Sequence, residues 1–188
     1  MVEVSVILPT YNRAHTLRRA VRSVLCQSFE DFELIIVDDA STDNTLEICA
    51  GFTDYRIKYI RRGTNSWETG DNARNDGLKA AKGKYIAYID SDNVWLREHL
   101  KELHNYLETH RSVALVYCDS LIVRGGRTSL ERYAKHSIQK RKHIIDTGEA
   151  MHIRSCVSKS GLWSLPTAKW EDDREFFGKI RKHFRVAH

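Results

Sequence analysis

The sequence lacks the features of a membrane-spanning or disordered chain. Its longest early apolar run, Val4 to Leu8, is far shorter than the roughly 20 residues of a membrane helix and too short for a signal-peptide core. Only two prolines occur, and no stretch has the biased composition of a disordered linker. With 41% hydrophobic and 29% charged residues, residues 1–188 are predicted to form one soluble domain, for which a cytoplasmic location is expected.

The sequence lacks the cysteine spacing of a zinc site and the glycine pattern of a dinucleotide-binding site. The four cysteines are scattered without C-x-x-C spacing, which argues against a zinc site and a disulfide framework, so reduced thiols are expected. No glycine lies between Pro9 and Ala14, where a dinucleotide-dependent oxidoreductase would need G-x-G-x-x-G. An aspartyl phosphatase would need a further phosphate-binding constellation, and the sequence has no recognisable one.

The formal net charge of +5 suits an anionic partner, which can be nucleic acid, an acidic membrane surface or a phosphorylated small molecule. A basic, aromatic stretch from Lys179 to Phe184 is compatible with a nucleic-acid-binding module or with contact to an anionic membrane. We favour a simpler interpretation, in which this stretch is the solvated face of the last helix.

Predicted strands alternate with predicted helices along the chain. The strands are Val2–Leu8, Phe32–Val37, Arg56–Ile60, Tyr85–Ile89 and Val113–Tyr117, with short ones near Leu121 and Ile144. The helices are Ala14–Gln27, Ser41–Ala50, Asn72–Ala81, Leu96–Leu107 and Glu171–Lys182. Pro9 is expected to end the first strand because it has no N–H to donate. The alternation predicts a mostly parallel sheet covered by helices on both faces.

Three polar clusters each follow a predicted strand. They are Pro9-Thr10-Tyr11-Asn12, Asp38-Asp39 and Asp90-Ser91-Asp92. Ligands of such sheets bind beyond the carboxyl ends of the strands, so these clusters are expected to meet at one edge.

The pair Asp90 and Asp92 predicts a metal site. Two residues apart in extended chain, both carboxylates point the same way and repel each other unless a cation intervenes. Hard oxygen ligands suit Mg²⁺ or Mn²⁺, and such an ion would also bind substrate phosphates. The alternative is a polar turn that caps the next helix. The position of the motif after a buried strand favours the metal.

Other polar residues have two interpretations each. One carboxylate of Asp38-Asp39 either caps a helix or accepts a hydrogen bond from a nucleobase on which Tyr11 packs. Arg13 and Arg74 are either phosphate or base contacts or ordinary surface charges. Glu171-Asp172-Asp173 either favours a helix dipole or supplies a general base, and spacing leaves both open.

Two long segments resemble family 2 glycosyltransferases with the GT-A fold, in particular bacterial enzymes of the spore-coat-polysaccharide type. The first reads VSVILPTYNRAHTLRRAVRSVLCQSFEDFELIIVDDASTDNT and the second NARNDGLKAAKGKYIAYIDSDN. The similarity covers at least Val2 to Leu107 and is loose from Ser120 to Ser160. It returns at Asp173-Arg174-Glu175-Phe176-Phe177, which resembles the acidic motif that carries the general base of the family.

The resemblance implies a Rossmann-like GT-A domain that performs an inverting, metal-dependent transfer from a nucleoside-diphosphate sugar to an acceptor hydroxyl. Asp92 would hold the metal, with Asp90 close to the ribose or metal. Asp173 would be the base, with Asp172 as the rival assignment. His152 falls where members often place cleft residues, although a lone histidine is more often structural. The implied nucleotide-binding set is Pro9, Thr10, Tyr11, Asn12, Arg13, Asp39, Arg74, Asp90 and Ser91, with Asp39 pairing with the base.

The same resemblance implies the partners. The donor is expected to be a UDP-linked sugar and the acceptor a carbohydrate or a lipid-linked molecule, with no nucleic acid and with peripheral contact to the inner face of the membrane. Residues 1–107 would bind the nucleotide sugar and residues 108–188 the acceptor. Two departures matter: Asn93 replaces an aspartate of many members, and the chain stops at His188, where many continue. The alternative is therefore a catalytically impaired nucleotide-sugar-binding domain.

Overall fold

A computed structural model describes residues 2–65, 71–124, 127–131, 145–164 and 172–188. The strands in these ranges are β1 (Val4–Thr10), β2 (Phe32–Asp38), β3 (Ile57–Arg61), β4 (Tyr85–Tyr88), β5 (Val113–Tyr117), β6 (Ser120–Arg124), β7 (Arg127–Glu131), β8 (Ala150–Ile153) and β9 (Arg185–Ala187). The α-helices are α1 (Ala14–Leu25), α2 (Thr45–Ala50), α3 (Asp71–Ala80), α4 (His99–Thr109), α5 (Val157–Ser160) and α6 (Asp172–His183). Short 3₁₀ turns span Thr147–Glu149 and Arg154–Cys156.

Seven strands form one central sheet in the order β3-β2-β1-β4-β8-β5-β9. Only β8 runs against its two neighbours, and the other pairings are parallel. Strands β6 and β7 form a separate antiparallel pair. The prediction of a mostly parallel α/β sheet is confirmed.

Two apolar layers cover the sheet, one on each face. On one face, α1 and α4 bury an apolar stripe against the alternate residues Val4, Val6 and Leu8 of β1. On the other, α3 and α6 pack against Ile7 and its neighbours. Gly77 of α3 makes the second packing close, because a Cβ at this position would lie 2.5 Å from a side-chain carbon of Ile7.

The predicted elements are confirmed with shifted bounds, apart from four points. Pro9 does not end β1, which continues to Thr10. The pairing of β1 with β4 ends at Ile7, so Pro9 lies beyond the stretch of β1 that has partners on both sides, where a missing N–H is tolerated. The second helix starts at Thr45 and not at Ser41, because residues 41–44 form a turn in which the Asp43 carboxylate accepts hydrogen bonds from the Thr45 N–H and hydroxyl.

The other two points concern the second half of the chain. Strands β7, β8 and β9 and the short helix α5 were not predicted, and the runs of four and three residues in β8 and β9 are too short to show a period. The short strand predicted near Leu121 is β6, whereas the one near Ile144 lies outside the described residues. Among the helices that the structure describes, none is long and apolar enough to span a bilayer.

Candidate functional site

The loops after β1 and β2 are tied together at the carboxyl edge of the sheet. The Asp39 N–H donates to the Thr10 carbonyl over 2.9 Å, and the Asn12 N–H donates to the Ser41 Oγ over 2.9 Å. The Asn12 side-chain oxygen accepts from the Thr42 N–H at 2.7 Å. Asn12 has a φ of 50°, a left-handed conformation that asparagine tolerates better than most residues. Asn12 therefore shapes this edge through its backbone and side chain together.

The adjacent carboxylates of Asp38 and Asp39 have different environments, because neighbouring residues of a strand point to opposite faces. Asp38 is fully buried and accepts hydrogen bonds from the Ser41 N–H at 2.8 Å and the Tyr59 hydroxyl at 2.6 Å. Asp39 is 4% exposed and forms an ion pair with Arg62. Asp38 thus holds β3 and the following turn in place, while Asp39 lies at the edge where the other polar clusters end.

The remaining residues of the first cluster line the same edge in different ways. Pro9 and Thr10 are buried in β1, and the Thr10 hydroxyl has no hydrogen-bond partner among the described residues. Tyr11 is exposed just beyond the strand, and Arg13 is exposed directly before α1. A buried hydroxyl without a partner costs free energy unless a ligand supplies one. The edge at Thr10 therefore has an unused polar group.

Arg74 connects α3 to the end of β4. Its guanidinium donates to the Asp90 carboxylate over 2.9 Å and lies 4.9 Å from the centre of the Trp163 ring. Ser91 is buried, whereas Asp92 is exposed and its carbonyl accepts from Arg19 at 3.2 Å. The Asp90-Ser91-Asp92 motif therefore presents one carboxylate that is paired with an arginine and one that faces solvent.

Asp173, at the second residue of α6, comes to the same edge. Thr147 donates to its carboxylate over 3.1 Å. Burial raises the pKa of Asp173 to about 6, and the negative charges of Asp90 and Asp146 add to the rise, while Arg74 opposes it. A carboxyl group whose pKa is close to neutral is a better proton acceptor than an ordinary surface aspartate.

Aromatic packing fixes the position of Asp173 relative to Arg74. Phe176, one helical turn after Asp173, stacks on Trp163 with ring centres 4.1 Å apart. Trp163 is bound in turn to α3 through two hydrogen bonds of 2.9 Å between its backbone and the Asn75 side-chain amide. Trp163 therefore contacts both α6, which carries Asp173, and α3, which carries Arg74.

The turn before β8 adds a carboxylate that the sequence analysis did not include. Burial raises the pKa of Asp146, with further contributions from the charges of Asp90 and Asp92, and the Gly148 N–H and Arg74 act in the other direction. Asp146 therefore lies close enough to Asp90 and Asp92 for their charge to act on it. The edge gathers more negative than positive charge, which is the condition that favours a bound cation.

One predicted residue, His152, is not brought to this edge. His152 lies in β8 with an exposure of 0%, and its ring nitrogens are 3.0 Å from the Tyr88 hydroxyl and the Ile153 carbonyl. Burial lowers its pKa to about 4, so it is neutral at physiological pH. It packs inside the sheet, the structural interpretation that a lone histidine favours. For Asp172 the described part is the backbone at the start of α6, and its side chain lies outside.

These observations agree with a match to known proteins. The family model of glycosyl transferase family 2 matches residues 5–160, most of the chain. The chain belongs to this family.

A relative and two solved structures show the extent of the likeness. UDP-Glc:α-D-GlcNAc-diphosphoundecaprenol β-1,3-glucosyltransferase WfgD of Escherichia coli is 42% identical over 99 residues, which are 52% of this chain and 38% of that protein. Staphylococcus aureus TarS 1–349 in complex with UDP matches with a TM-score of 0.82 at 23% identity, over 99% of this chain and 57% of TarS. The mannosyltransferase PcManGT of Pyrobaculum calidifontis, in complex with GDP-Man and Mn²⁺, gives a TM-score of 0.77 at 23% identity, over 98% of this chain and 54% of that one.

The two structural matches establish the fold, and the predicted GT-A fold is confirmed. The chain spans little more than half of these structures and less than half of the E. coli relative.

Three residues of this family 2 site were missed by sequence reasoning. Arg62 bridges Asp39 and Asp76, at 2.9 Å from the latter. It directly follows β3, so the rule about strand ends would have found it. Asp146 and Trp95 had no such signal. Trp95 donates its ring N–H to the Gly148 carbonyl over 2.8 Å, a contact between residues 53 positions apart that joins the loop after Asp92 to the turn of Thr147.

Proposed function

We propose that this protein transfers a sugar from a UDP-linked donor to an acceptor hydroxyl with inversion at the anomeric carbon. The observation that carries the proposal is the position of Asp173, a half-buried carboxyl group with a raised pKa beside Asp90 and Arg74 at the carboxyl edge of the sheet. Family membership and the UDP named for WfgD and TarS support the donor class.

The divalent ion of the reaction, Mn²⁺ or Mg²⁺, would be held by Asp92 with Asp90. The fit rests on the charge of this edge: the carboxylates of Asp90 and Asp92 are both close enough to raise the pKa of Asp146, and the Asp92 side chain faces solvent. Two carboxylates suffice for such an ion, which takes its other ligands from water and phosphates. When bound, the ion stabilises negative charge on the diphosphate leaving group.

The nucleotide would occupy the edge formed by the ends of β1, β2 and β4. Asp39, held by Arg62, is proposed to accept a hydrogen bond from the base, and Tyr11 to pack on its face. The unsatisfied hydroxyl of Thr10 would find a partner there, and Arg74 would lie near the phosphates. Pro9, Asn12, Arg13 and Ser91 complete the proposed nucleotide-binding set.

Asp173 would act as general base in a single displacement. Its carboxylate accepts the proton of the acceptor hydroxyl while the oxygen attacks the anomeric carbon from the face opposite to the leaving diphosphate. Thr147 keeps the carboxylate oriented through its 3.1 Å hydrogen bond. Residues 1–107 are thereby assigned to the donor and residues 108–188 to the acceptor side.

The proposed acceptor class is taken from a relative whose name prints one. WfgD acts on α-D-GlcNAc-diphosphoundecaprenol, a sugar linked to a lipid diphosphate. We propose an acceptor of this class for the present chain, which would then work at the inner face of a membrane as a peripheral protein.

The decisive test compares two neighbouring carboxylates. Asp173→Asn keeps the side-chain shape but removes the base, so transfer is expected to fall by about 10²–10⁴-fold with donor binding almost unchanged. Asp172→Asn is the matched variant and is expected to retain most of the activity. The measurement is the initial rate of transfer from a radiolabelled UDP-sugar. The reverse ranking would assign the base to Asp172, and undiminished transfer by both variants would refute a carboxylate base in this pair.

The nucleotide is tested separately by thermal shift with nucleoside diphosphates and their sugars, each with and without Mn²⁺. A ligand that binds the native state raises Tm with the logarithm of its saturation, so UDP and UDP-sugars are expected to give the largest shifts. Binding without transfer under all conditions would favour the catalytically impaired nucleotide-sugar-binding domain.

A further inference from the structure

Three arginines of α1 form one exposed stripe, here called the arginine face. Arg18, Arg19 and Arg22 are spaced so that all three project from the same side of the helix, and all are exposed. The opposite side of α1 is buried against the sheet. The helix therefore offers a purely basic outer surface, which starts one turn from the loop that follows β1.

The loop of residues 92–97 lies along this helix. Arg19 donates to the Asp92 carbonyl over 3.2 Å, Ser23 accepts from the Trp95 N–H at 3.2 Å, and the Gln27 amide donates to the Leu96 carbonyl over 2.8 Å. Arg19 and Ser23 are four residues apart and form one row along α1, and Gln27 follows shortly after the end of the helix. The loop is thus fixed beside the arginine face over its whole length.

Two aliphatic side chains of this loop are turned to solvent. Val94 is 51% exposed and Leu96 is 68% exposed, although their neighbour Trp95 is buried. The hydrogen bonds of Trp95 with Ser23 and of Leu96 with Gln27 hold both side chains next to the helix that carries the arginine face. An exposed aliphatic pair beside a row of arginines is an amphipathic surface.

The charge of this surface is not neutralised within the part of the chain that the structure describes. No carboxylate oxygen there comes within ion-pair distance, 4.0 Å, of Arg18, Arg19, Arg22 or Arg97. Arg18 lies 5.8 Å from the Phe52 ring. Arg97 contributes least to the lowered pKa of Glu98, which is lowered mainly by hydrogen bonds from Ser28 and Lys101. The surface therefore keeps a net positive charge.

We propose that the arginine face, together with Val94 and Leu96, docks the protein on an anionic lipid surface. Guanidinium groups bind lipid phosphates well, and aliphatic side chains gain free energy by entering the region between headgroups and acyl chains. A polynucleotide fits less well, because its bases are bound by aromatic stacking or amide contacts, which this surface does not present. The contact with Arg19 would place the Asp92 loop next to the bilayer. The benefit of this placement for catalysis rests on the proposed function with a lipid-linked acceptor. The docking on lipid does not depend on that function.

The basic stretch at Lys179 to Phe184 is a weaker candidate. Lys179 pairs with Glu175 at 3.0 Å, and Phe184 is partly buried in the core with the Lys159 ammonium 5.9 Å from its ring. It therefore has charge without an exposed apolar partner. Its exposed Arg181 and Lys182 supply a matched control with the same change in charge.

The experiment is cosedimentation of the whole chain with vesicles of phosphatidylcholine, with or without phosphatidylglycerol. The wild type is expected to bind only the anionic vesicles. Arg18→Gln/Arg22→Gln is expected to lower the partition coefficient about thirtyfold, from the usual contribution of two basic residues near an anionic surface. Arg181→Gln/Lys182→Gln is expected to change it less than about threefold. Equal losses in the two double variants, or equal binding to both vesicle types, would overturn the proposal.

A second variant tests the aliphatic contact. Val94→Ser/Leu96→Ser is expected to weaken vesicle binding about tenfold, with the loss persisting at raised salt, where arginine contacts are screened. An unchanged partition coefficient, or binding to a single-stranded RNA but not to vesicles, would contradict docking on lipid. Thermal melts confirm that each variant is folded. Because no donor or turnover enters these measurements, their failure is distinguishable from failure of the proposed transfer reaction.

Discussion

The two edges of the central sheet carry charged clusters that differ in how far ion pairs compensate their negative charge. At the amino edge, Glu3 and Glu108 lie with His104, and their ligand atoms are within 4.8 Å of one another. Lys84 pairs with both glutamates, at 3.7 Å and 2.5 Å, and Arg111 pairs with Glu108 at 2.5 Å. At the carboxyl edge, Asp90 and Arg74 form the one ion pair between the Asp90-Ser91-Asp92 motif and α3 among the described residues.

The pKa values of the carboxyl groups at the two edges are shifted in opposite directions. The hydrogen bond from Lys84, followed by that from Tyr85, lowers the pKa of Glu108 to about 2. Burial and neighbouring carboxylates instead raise the pKa of Asp173 to about 6 and that of Asp146 above its ordinary value. By ligand spacing alone, the amino edge is the better metal site. The carboxylates of the amino edge are already paired with Lys84 and Arg111, whereas Asp92, Asp146 and Asp173 at the carboxyl edge have no ion pair among the described residues. Acidic residues therefore indicate a functional site where neighbouring positive charges do not compensate them.

Removal of one carboxylate from each edge gives the sharpest contrast. Asp92→Ala is expected to weaken Mn²⁺-dependent UDP binding about a hundredfold, since it deletes a proposed metal ligand. Glu3→Ala is expected to leave that binding unchanged. Calorimetric titration with UDP, with and without Mn²⁺, measures both. Equal effects of the two substitutions, or a preserved affinity in Asp92→Ala, would reverse the assignment of the edges.

The pH dependence of transfer is the next largest effect. A general base must be ionised, so kcat/KM is expected to rise with pH and to level off above about pH 6, with about a tenfold loss one unit below the midpoint. A bound cation favours the ionised carboxylate and moves the midpoint down. Initial rates from pH 5 to pH 8 provide the profile. A midpoint above pH 7 would not agree with Asp173 as the base.

Thermodynamic stability is expected to change in opposite directions at the two edges. The pKa of Asp173 is higher in the folded than in the unfolded chain, so its ionisation destabilises the fold increasingly between about pH 4 and pH 6. Asp173→Asn is therefore expected to raise the free energy of unfolding at pH 7 by about 1 kcal/mol, with the gain vanishing below about pH 4. Urea denaturation at the two pH values measures it. A variant less stable than wild type at pH 7 would contradict this sign.

The smallest effect is expected at the amino edge. The pKa of Glu108 is lower in the folded chain, so its ion pairs stabilise the fold above about pH 4.5, and the contribution is lost as the pH falls towards 2. Because the group is partly exposed, Glu108→Gln is expected to lower the free energy of unfolding at pH 7 by about 0.5 kcal/mol. The same denaturation series measures it, with a loss above 2 kcal/mol indicating a deeper structural role.

Much of the carboxyl edge could be predicted, because strand ends are visible in sequence. Buried runs end at Thr10, Asp38 and Tyr88, and the polar residues after them have to meet if the strands are parallel. The same rule covers Arg62, which the sequence analysis passed over. The turn of Asp146 and Thr147 was out of reach, because β8 enters the sheet in the antiparallel sense after a region of weak periodicity.

The sequence by itself determined the alternation of strands and helices, the edge at which polar loops collect, and the family, since each follows from local pattern or ordered motifs. Only the tertiary structure decided that Asp38 binds Tyr59 while Asp39 pairs with Arg62, that Arg74 takes Asp90 as its partner, and that Asp173 has a raised pKa. These properties depend on what lies across the fold. Burial and charge at a residue are set by neighbours that are distant in the chain, and residue order does not record their distances.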